Sequence, residues 1–307
     1  MKGLTVIQPG MHSLLQDGGR RGLHHIGITT GGPLDSHSFR CANRLCDNSD
    51  TAACIEILVG GLVLESQIAT QIAITGADVP IKINHRTVSG WRNHAIQPGD
   101  RIAIGYATAG CRAYLSVAGG IRAPSIFGSV STVVREGLGG LHLDGKPLQQ
   151  GDILPCQPSA TMQNRSVPEQ QRPILNSAVT EVRMVLGYQH CQFSQSQLDL
   201  FFNSEYTVSQ NSDRMGYRLQ GPAIVPPYSE MLSEGICLGA VQLPSDGQPI
   251  ILLSDRQTIG GYPKIGSVFS LDIAKLAQLM PGRKLRFAAI DIERAQNLLA
   301  LYNNQTH

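Results

Sequence analysis

The chain has 307 residues, 42% of them hydrophobic, and a net charge of +2. That length allows two cores, and that apolar content excludes a disordered chain. Lys and Arg form no basic cluster, which argues against nucleic acid as the main partner, because neutralising phosphates needs concentrated cations.

In chain order, apolar runs predict strands at residues 6–7, 61–64, 72–74, 81–83, 101–104, 113–117, 181–186, 249–253 and 285–287. The 33 glycines and 17 prolines punctuate them as turns. Helices are few and short. Asp35 or Ser36 caps one to about Leu45, with Phe39, Ala42 and Cys46 on one face. Ser194 caps one to about Phe202, Asp272 one through Met280 that stops at Pro281-Gly282, and Asp291 one through Tyr302. Short strands at frequent turns predict a mainly β fold of barrels or sandwiches with a few short helices. Residues 157–178 are rich in Pro, Ser, Gln and Asn and read as a linker, leaving domains at 1–156 and 179–307. The halves echo each other. Residues 97–103 (QPGDRIA) match 280–286 (MPGRKLR), and 56–63 (EILVGGLV) match 234–241 (EGICLGAV), which points to a duplication.

Several chemistries are unsupported. Residues 140–146 fit G-x-x-x-x-G-K, but Pro147 stands where a P-loop needs Ser or Thr and a helix start. No segment of the Ala-Met-Lys-Met type carries biotin, and no Ser sits in a G-x-S-x-G elbow. His24 and His25, read as strand residues, point to opposite faces, so no metal site is expected. The seven cysteines form no C-x-x-C pair, and Cys54, Cys111 and Cys237 read as inert core thiols. No apolar run is long enough to span a bilayer, and no apolar signal core follows Met1-Lys2. A cytoplasmic protein is expected. The low charged share, 16%, fits either a partner-covered surface or a sheet-rich fold with Ser, Thr, Gln and Asn outside.

What remains is Asp, Arg, Ser and Thr beside glycines. The block from Ser254 through Asp255, Arg256 and Thr258 to Gly260, Gly261, Tyr262 and Pro263 follows an apolar strand. It is expected to set polar side chains at a sheet rim, with Gly-Gly letting backbone pass close to a ligand. Upstream lie Asp213, Arg214, Gly216 and Arg218, and near the N-terminus Asp17, Arg20 and then Gly31-Gly32-Pro33-Leu34-Asp35. Arg grips a carboxylate or phosphate through two parallel hydrogen bonds, and Asp orients that Arg or acts as a base. Alternatively, each Asp–Arg set is an internal ion pair fixing a turn. Ser131 and Thr132, in a Gly-rich stretch, are candidate anion donors. Gln242 could read a lactam or urea, donating to its carbonyl and accepting from its N–H.

Together these ordered blocks, from Val6 to about Phe287, resemble the carboxyltransferase subdomain A/B family. That family includes allophanate hydrolase subunit 2-like proteins, the carboxyltransferase part of urea carboxylase and the C subunit of bacterial ATP-dependent 5-oxoprolinase. The resemblance implies two cyclophilin-like β-barrel subdomains. For a stand-alone chain of this length it also implies ATP-dependent opening of 5-oxoproline to glutamate, beside A-like and B-like 5-oxoprolinase partners. On that reading Arg214 and Arg218 hold phosphate or substrate carboxylate, Asp255 orients them or acts as a base, and Asp213 joins them. Thr258, Gly260, Gly261, Tyr262, Gln242, Ser131, Thr132, Asp17, Arg20 and Asp35 would bind substrate or anion. The alternatives are biotin-dependent carboxyl transfer to urea or a related amide, with biotin on another chain, and a regulatory protein that sequesters its B-like partner. One departure is residues 28–34 (ITTGGPL), where relatives carry a Ser-Gly-Ala-Met type run.

Overall fold

The structure, a computed structural model, describes residues 2–160, 163–228 and 231–305. The chain divides into two compact units, Met1–Leu23 with Thr30–Asn176 and His24–Thr29 with Ser177–His307. The architecture is mainly β with four short α-helices among the described residues.

The first unit holds β1 (Gly3–Pro9), β2 (His12–Gln16), β3 (Cys54–Leu58), β4 (Leu62–Ser66), β5 (Thr70–Asp78), β6 (Ile81–Ile83), β7 (Arg86–Val88), β8 (Asn93–Ile96), β9 (Arg101–Ile104), β10 (Ala109–Val117) and β11 (Ile153–Pro155), with helix α1 (Ser36–Leu45). The strands form two sheets, β11-β1-β4-β9-β6-β7 and β2-β3-β10-β5-β8. Alternate residues of both sheets meet in one core. Leu4, Leu64 and Ile102 come from the first sheet, and Ile55, Ile72 and Leu115 from the second. Asp35 caps α1, accepting from the Ser38 backbone N–H at 2.9 Å and its hydroxyl at 2.6 Å. The apolar stripe of α1, Phe39 and Ala42, packs on Tyr114 and Cys54. Part of the aperiodic stretch is fastened to this unit by backbone. The Val167 N–H donates to the Trp91 carbonyl and the Arg165 N–H to Asn93 Oδ1.

The second unit holds β12 (Val179–Leu186), β13 (Tyr206–Val208), β14 (Gly216–Gln220), β15 (Glu234–Gly235), β16 (Ala240–Gln242), β17 (Ile250–Leu252), β18 (Ile259–Gly260), β19 (Lys264–Val268) and β20 (Lys284–Ala289), with α2 (Gln195–Asn203), α3 (Ser270–Ala277) and α4 (Ile292–Gln305). Seven strands close a barrel in the order β12-β19-β16-β17-β14-β13-β20. A parallel pairing of β12 with β20, from Val179 opposite Lys284 to Met184 opposite Ala289, makes the closure. Strands β15 and β18 form a separate two-stranded ribbon. Phe201 of α2 stacks on Phe287 with ring centroids 4.5 Å apart.

The predicted caps at Ser194 and Asp291 are present. Ser194 accepts from the Gln197 N–H and Asp291 from the Arg294 N–H. Asp272 is a correction. Helix α3 begins at Ser270, and Asp272 lies in its first turn, fully buried. Its carboxylate takes Arg183 Nε at 2.8 Å, Arg183 Nη2 at 2.7 Å and Lys275 Nζ at 2.8 Å, so two cations claim the group that was expected to cap. His24 and His25 are a second correction, because they sit in a short 3-10 turn rather than on a strand. Cys237 is a third. It is exposed, whereas Cys54 and Cys111 are buried. The sequence echo has a structural counterpart. In both QPGD and MPGR turns the glycine is left-handed, Gly99 at φ 88° and Gly282 at φ 86°, and the fourth N–H donates to the first carbonyl. Each turn leads into a strand, β9 and β20. No helix among the described residues is long and apolar enough to cross a membrane.

Burial pushes the Asp272 carboxyl up, but hydrogen bonds from Arg183 and Lys275 outweigh it and hold the group below the usual carboxylate range. A depressed folded value contributes stability above the unfolded value, and that stability is lost as pH falls through the folded value. Asp272→Asn is expected to lower unfolding free energy by about 3 kcal/mol at neutral pH, measured by urea denaturation. The gap from wild type should shrink once pH drops below about 3.9.

Candidate functional site

A cavity of about 260 Å³ opens in the second unit where β12 and β19 meet the β15–β18 ribbon. Its walls are Gly187 to Gln189 at the end of β12, Glu234, Gly235 and Cys237 around β15, and Lys264, Gly266 and Ser267 on β19. Gly266 lets the two barrel strands approach, since a Cβ there would stand 2.3 Å from the Val185 carbonyl oxygen.

Glu234 is the centre of the cavity. Its carboxylate is ion-paired with Lys264 Nζ and accepts from the Tyr188 hydroxyl and from Gln189 Nε2, the last at 2.8 Å. Gln189 is itself fixed from both ends, because its Oε1 accepts the Lys264 N–H at 2.7 Å and its Nε2 also reaches the Tyr188 oxygen at 2.8 Å. Burial pushes the Glu234 carboxyl up, but hydrogen bonds from Lys264, Tyr188 and Gln189 with the Lys264 charge hold it below the usual range. The hydrogen bond to Glu234 pushes the Tyr188 phenol up, because it favours the neutral O–H. On the same wall, Cys237 Sγ and Ser267 Oγ lie 2.9 Å apart. A cation, a carboxylate, a phenol and an amide held together in a cavity can orient a small polar molecule and move a proton along it. None of the four residues stands in a recognisable motif. The one available signal was position: Lys264 directly follows Gly260-Gly261-Tyr262-Pro263, and Glu234 opens the second copy of the echoed segment.

The second-unit residues singled out from sequence lie in several separate places. Arg214 and Asp255 form a bidentate pair, Nε to Oδ2 and Nη2 to Oδ1, both at 2.9 Å, with side chains 10% and 5% exposed. Asp255 therefore orients Arg214. The pair ties two loops, and the Asp255 N–H also donates to the Arg214 carbonyl. Asp213 accepts the Met215 and Gly216 N–H groups and shapes the turn before β14. Arg218 does not join the pair; it is exposed on β14. The rim expected after β17 is instead buried: Ser254, Asp255 and Arg256 are each under 8% exposed, and Arg256 donates to the Ile236 and Leu253 carbonyls. The close approach at Gly-Gly is to the chain itself. A Cβ on Gly260 would meet Ile236 and Gln242, and one on Gly261 the Met231 carbonyl. The Thr258 carbonyl accepts the Ile236 N–H, and Tyr262 is exposed.

In the first unit the candidates form a scaffold. Asp17 accepts from Gly19 N–H, Val130 N–H, Ser129 Oγ and Ser131 Oγ at 2.5–2.9 Å. Arg20, 1% exposed, donates to the Ile126 and Ser129 carbonyls. Asp17 and Arg20 thus each fasten the 126–131 loop. Ser131 and Thr132 are fully buried, and the Thr132 hydroxyl donates to the Leu15 carbonyl. Their expected role as anion donors is corrected, since Asp17 and the Leu15 carbonyl already take these hydroxyls. Asp35 is the cap of α1 rather than a surface ligand. Residues 140–146 turn through left-handed Gly140, Leu143 and Gly145 and lead to β11, with no helix at the Lys146 end. No cluster among the described residues could hold a metal ion.

The carboxyltransferase domain family, subdomain A and B, matches residues 26–289, and the chain belongs to it. The chain is 37% identical over 294 residues to the 5-oxoprolinase C subunit of Escherichia coli (strain K12), covering 95% of this chain and 93% of that protein. It is 32% identical to the 5-oxoprolinase C subunit of Haemophilus influenzae, over 96% and 94%. The crystal structure of Kluyveromyces lactis urea carboxylase superposes with a TM-score of 0.91 at 29% identity, covering 100% of this chain and 29% of that one.

Because the Tyr188 phenol is raised mainly by its bond to Glu234, Glu234→Gln should lower its ionisation towards the ordinary value of about 10. An ultraviolet phenolate titration, with Tyr188→Phe as the subtraction, checks this; an unmoved value would show that Glu234 does not hold the phenol.

Proposed function

We propose that the chain is the C-type member of a complex that opens 5-oxoproline to glutamate with ATP hydrolysis, working with A-like and B-like partners. The observation that carries this is correspondence along the whole length: 37% identity over 95% of this chain and 93% of a protein named as the C subunit of 5-oxoprolinase. A five-membered lactam is an unreactive amide, so opening must be driven. Loading its carbonyl oxygen with a phosphoryl group makes the carbon electrophilic, and the developing charge then needs cations and N–H donors. In the second unit Lys264, held by Glu234, supplies a cation at a cavity of the right scale, and Arg214, oriented by Asp255 outside the residues that line that cavity, is a second candidate cation.

A second reading, carboxyl transfer from a biotin carried on another chain to urea, is favoured by the TM-score of 0.91 with urea carboxylase. The same cations would then steady a carboxyl group in transit.

ATP-dependent glutamate release is measured with this chain alone, with each partner and with both. Turnover only in the full mixture is expected. Lys264→Met should cut it about a hundredfold with assembly intact. Arg214→Lys, which keeps charge but loses the fork, should cut it about tenfold. An assembled mixture that releases no glutamate, yet carboxylates urea from a biotinylated carrier, would replace the first reading with the second.

A further inference from the structure

Gln242 ends β16 and is 5% exposed, yet its Nε2 has no hydrogen-bond partner among the described residues. A buried amide donor left unmatched is destabilising, so keeping one calls for an explanation. Its surroundings supply one. Across the β16–β19 ladder Gln242 stands opposite Lys264, which puts both side chains on one face of the sheet, and Lys264 lines the cavity. On its other side is Gly260, where a Cβ would stand 2.9 Å from Nε2. Gly260 is not in the left-handed region, so glycine serves there for space rather than for backbone shape. The polar groups that line the cavity with Lys264 are committed. Gln189 spends both ends on Lys264, Glu234 and Tyr188, and Glu234 takes three donors. The unused N–H calls for an acceptor brought from outside. Gly260 pairs with Glu234 across the β15–β18 ribbon, so a carboxylate-bearing residue borders this point; it disfavours a second anionic group and favours a neutral carbonyl.

We propose that Gln242 is a specificity-determining residue, whose side-chain amide takes the neutral carbonyl oxygen of a small amide, a lactam or a urea, seated beside Lys264. The lactam arm rests on the 5-oxoproline reading above; the carbonyl recognition does not.

The test uses the full chain assembled with its partners and calorimetric titration of three probes: 5-oxoproline, urea and L-proline, which keeps the ring and carboxylate but lacks the lactam carbonyl. Gln242→Met removes the amide at similar volume. It should weaken the carbonyl ligand about tenfold and erase any preference for 5-oxoproline over proline. The melting temperature should hold or rise, because an unmatched buried amide gives way to an apolar group. Gly260→Ala, which pushes a methyl group against Nε2, should repeat the loss of binding. Undiminished binding in Gln242→Met overturns the proposal, as does wild type that binds neither 5-oxoproline nor urea. Lowered melting temperature with binding retained also overturns it, since the amide would then serve the fold through a buried water. If Gln242→Met loses urea while wild type releases no glutamate from 5-oxoproline, the 5-oxoproline reading falls and the carbonyl recognition stands.

Discussion

Closure of the barrel by the parallel pairing of β12 with β20 is the constraint on which the second unit rests. The other pairings among the seven barrel strands are antiparallel. A parallel pair cannot be made by a hairpin. Here the whole stretch between β12 and β20 is the crossover, so the barrel is shut only when all of it is in place. Closure also decides where the cavity is. With β12 held by β20 on one side and by β19 on the other, the chain leaving β12 at Gly187 must turn over the β19 edge. That turn carries Tyr188 and Gln189 to Lys264.

The charges of this unit are handled in two ways. Arg183 with Asp272, and Arg214 with Asp255, are paired bidentately where little solvent reaches the carboxylate, and such pairs specify a geometry more than they add stability. Lys264 with Glu234 is different. The pair faces a cavity, and its carboxylate is kept ionised by neutral donors as well as by the cation. A group arranged in this way keeps its charge when a ligand displaces water, which suits it to hold a substrate rather than a loop.

In the first unit the same residue types serve structure. Asp17 collects four donors from two segments more than a hundred residues apart in sequence, and Asp35 caps a helix whose apolar stripe covers Tyr114. Polar side chains beside glycines are common to both units. Asp35 is buried with its donors, whereas the Glu234 side chain at the cavity is 30% exposed.

The sequence by itself determined the mainly β class, the positions of strands such as β5, β10 and β12, three of four helix starts and the family. These depend on period, on capping chemistry and on ordered blocks, all of which are local or collinear. It also singled out Arg214, Asp255 and Gln242. It did not reveal that Asp272 would leave its capping role to bind two cations, that Ser131 and Thr132 would be spent on Asp17 and a carbonyl, or that Cys237 would be exposed. Nor did it bring together Tyr188, Gln189, Glu234 and Lys264, whose spacings of 45 and 30 residues form no motif. Only tertiary structure decided these, because which partner a polar side chain takes depends on which strands the barrel sets side by side. That choice is made by long-range pairing and burial, and neither leaves a periodic trace in the chain.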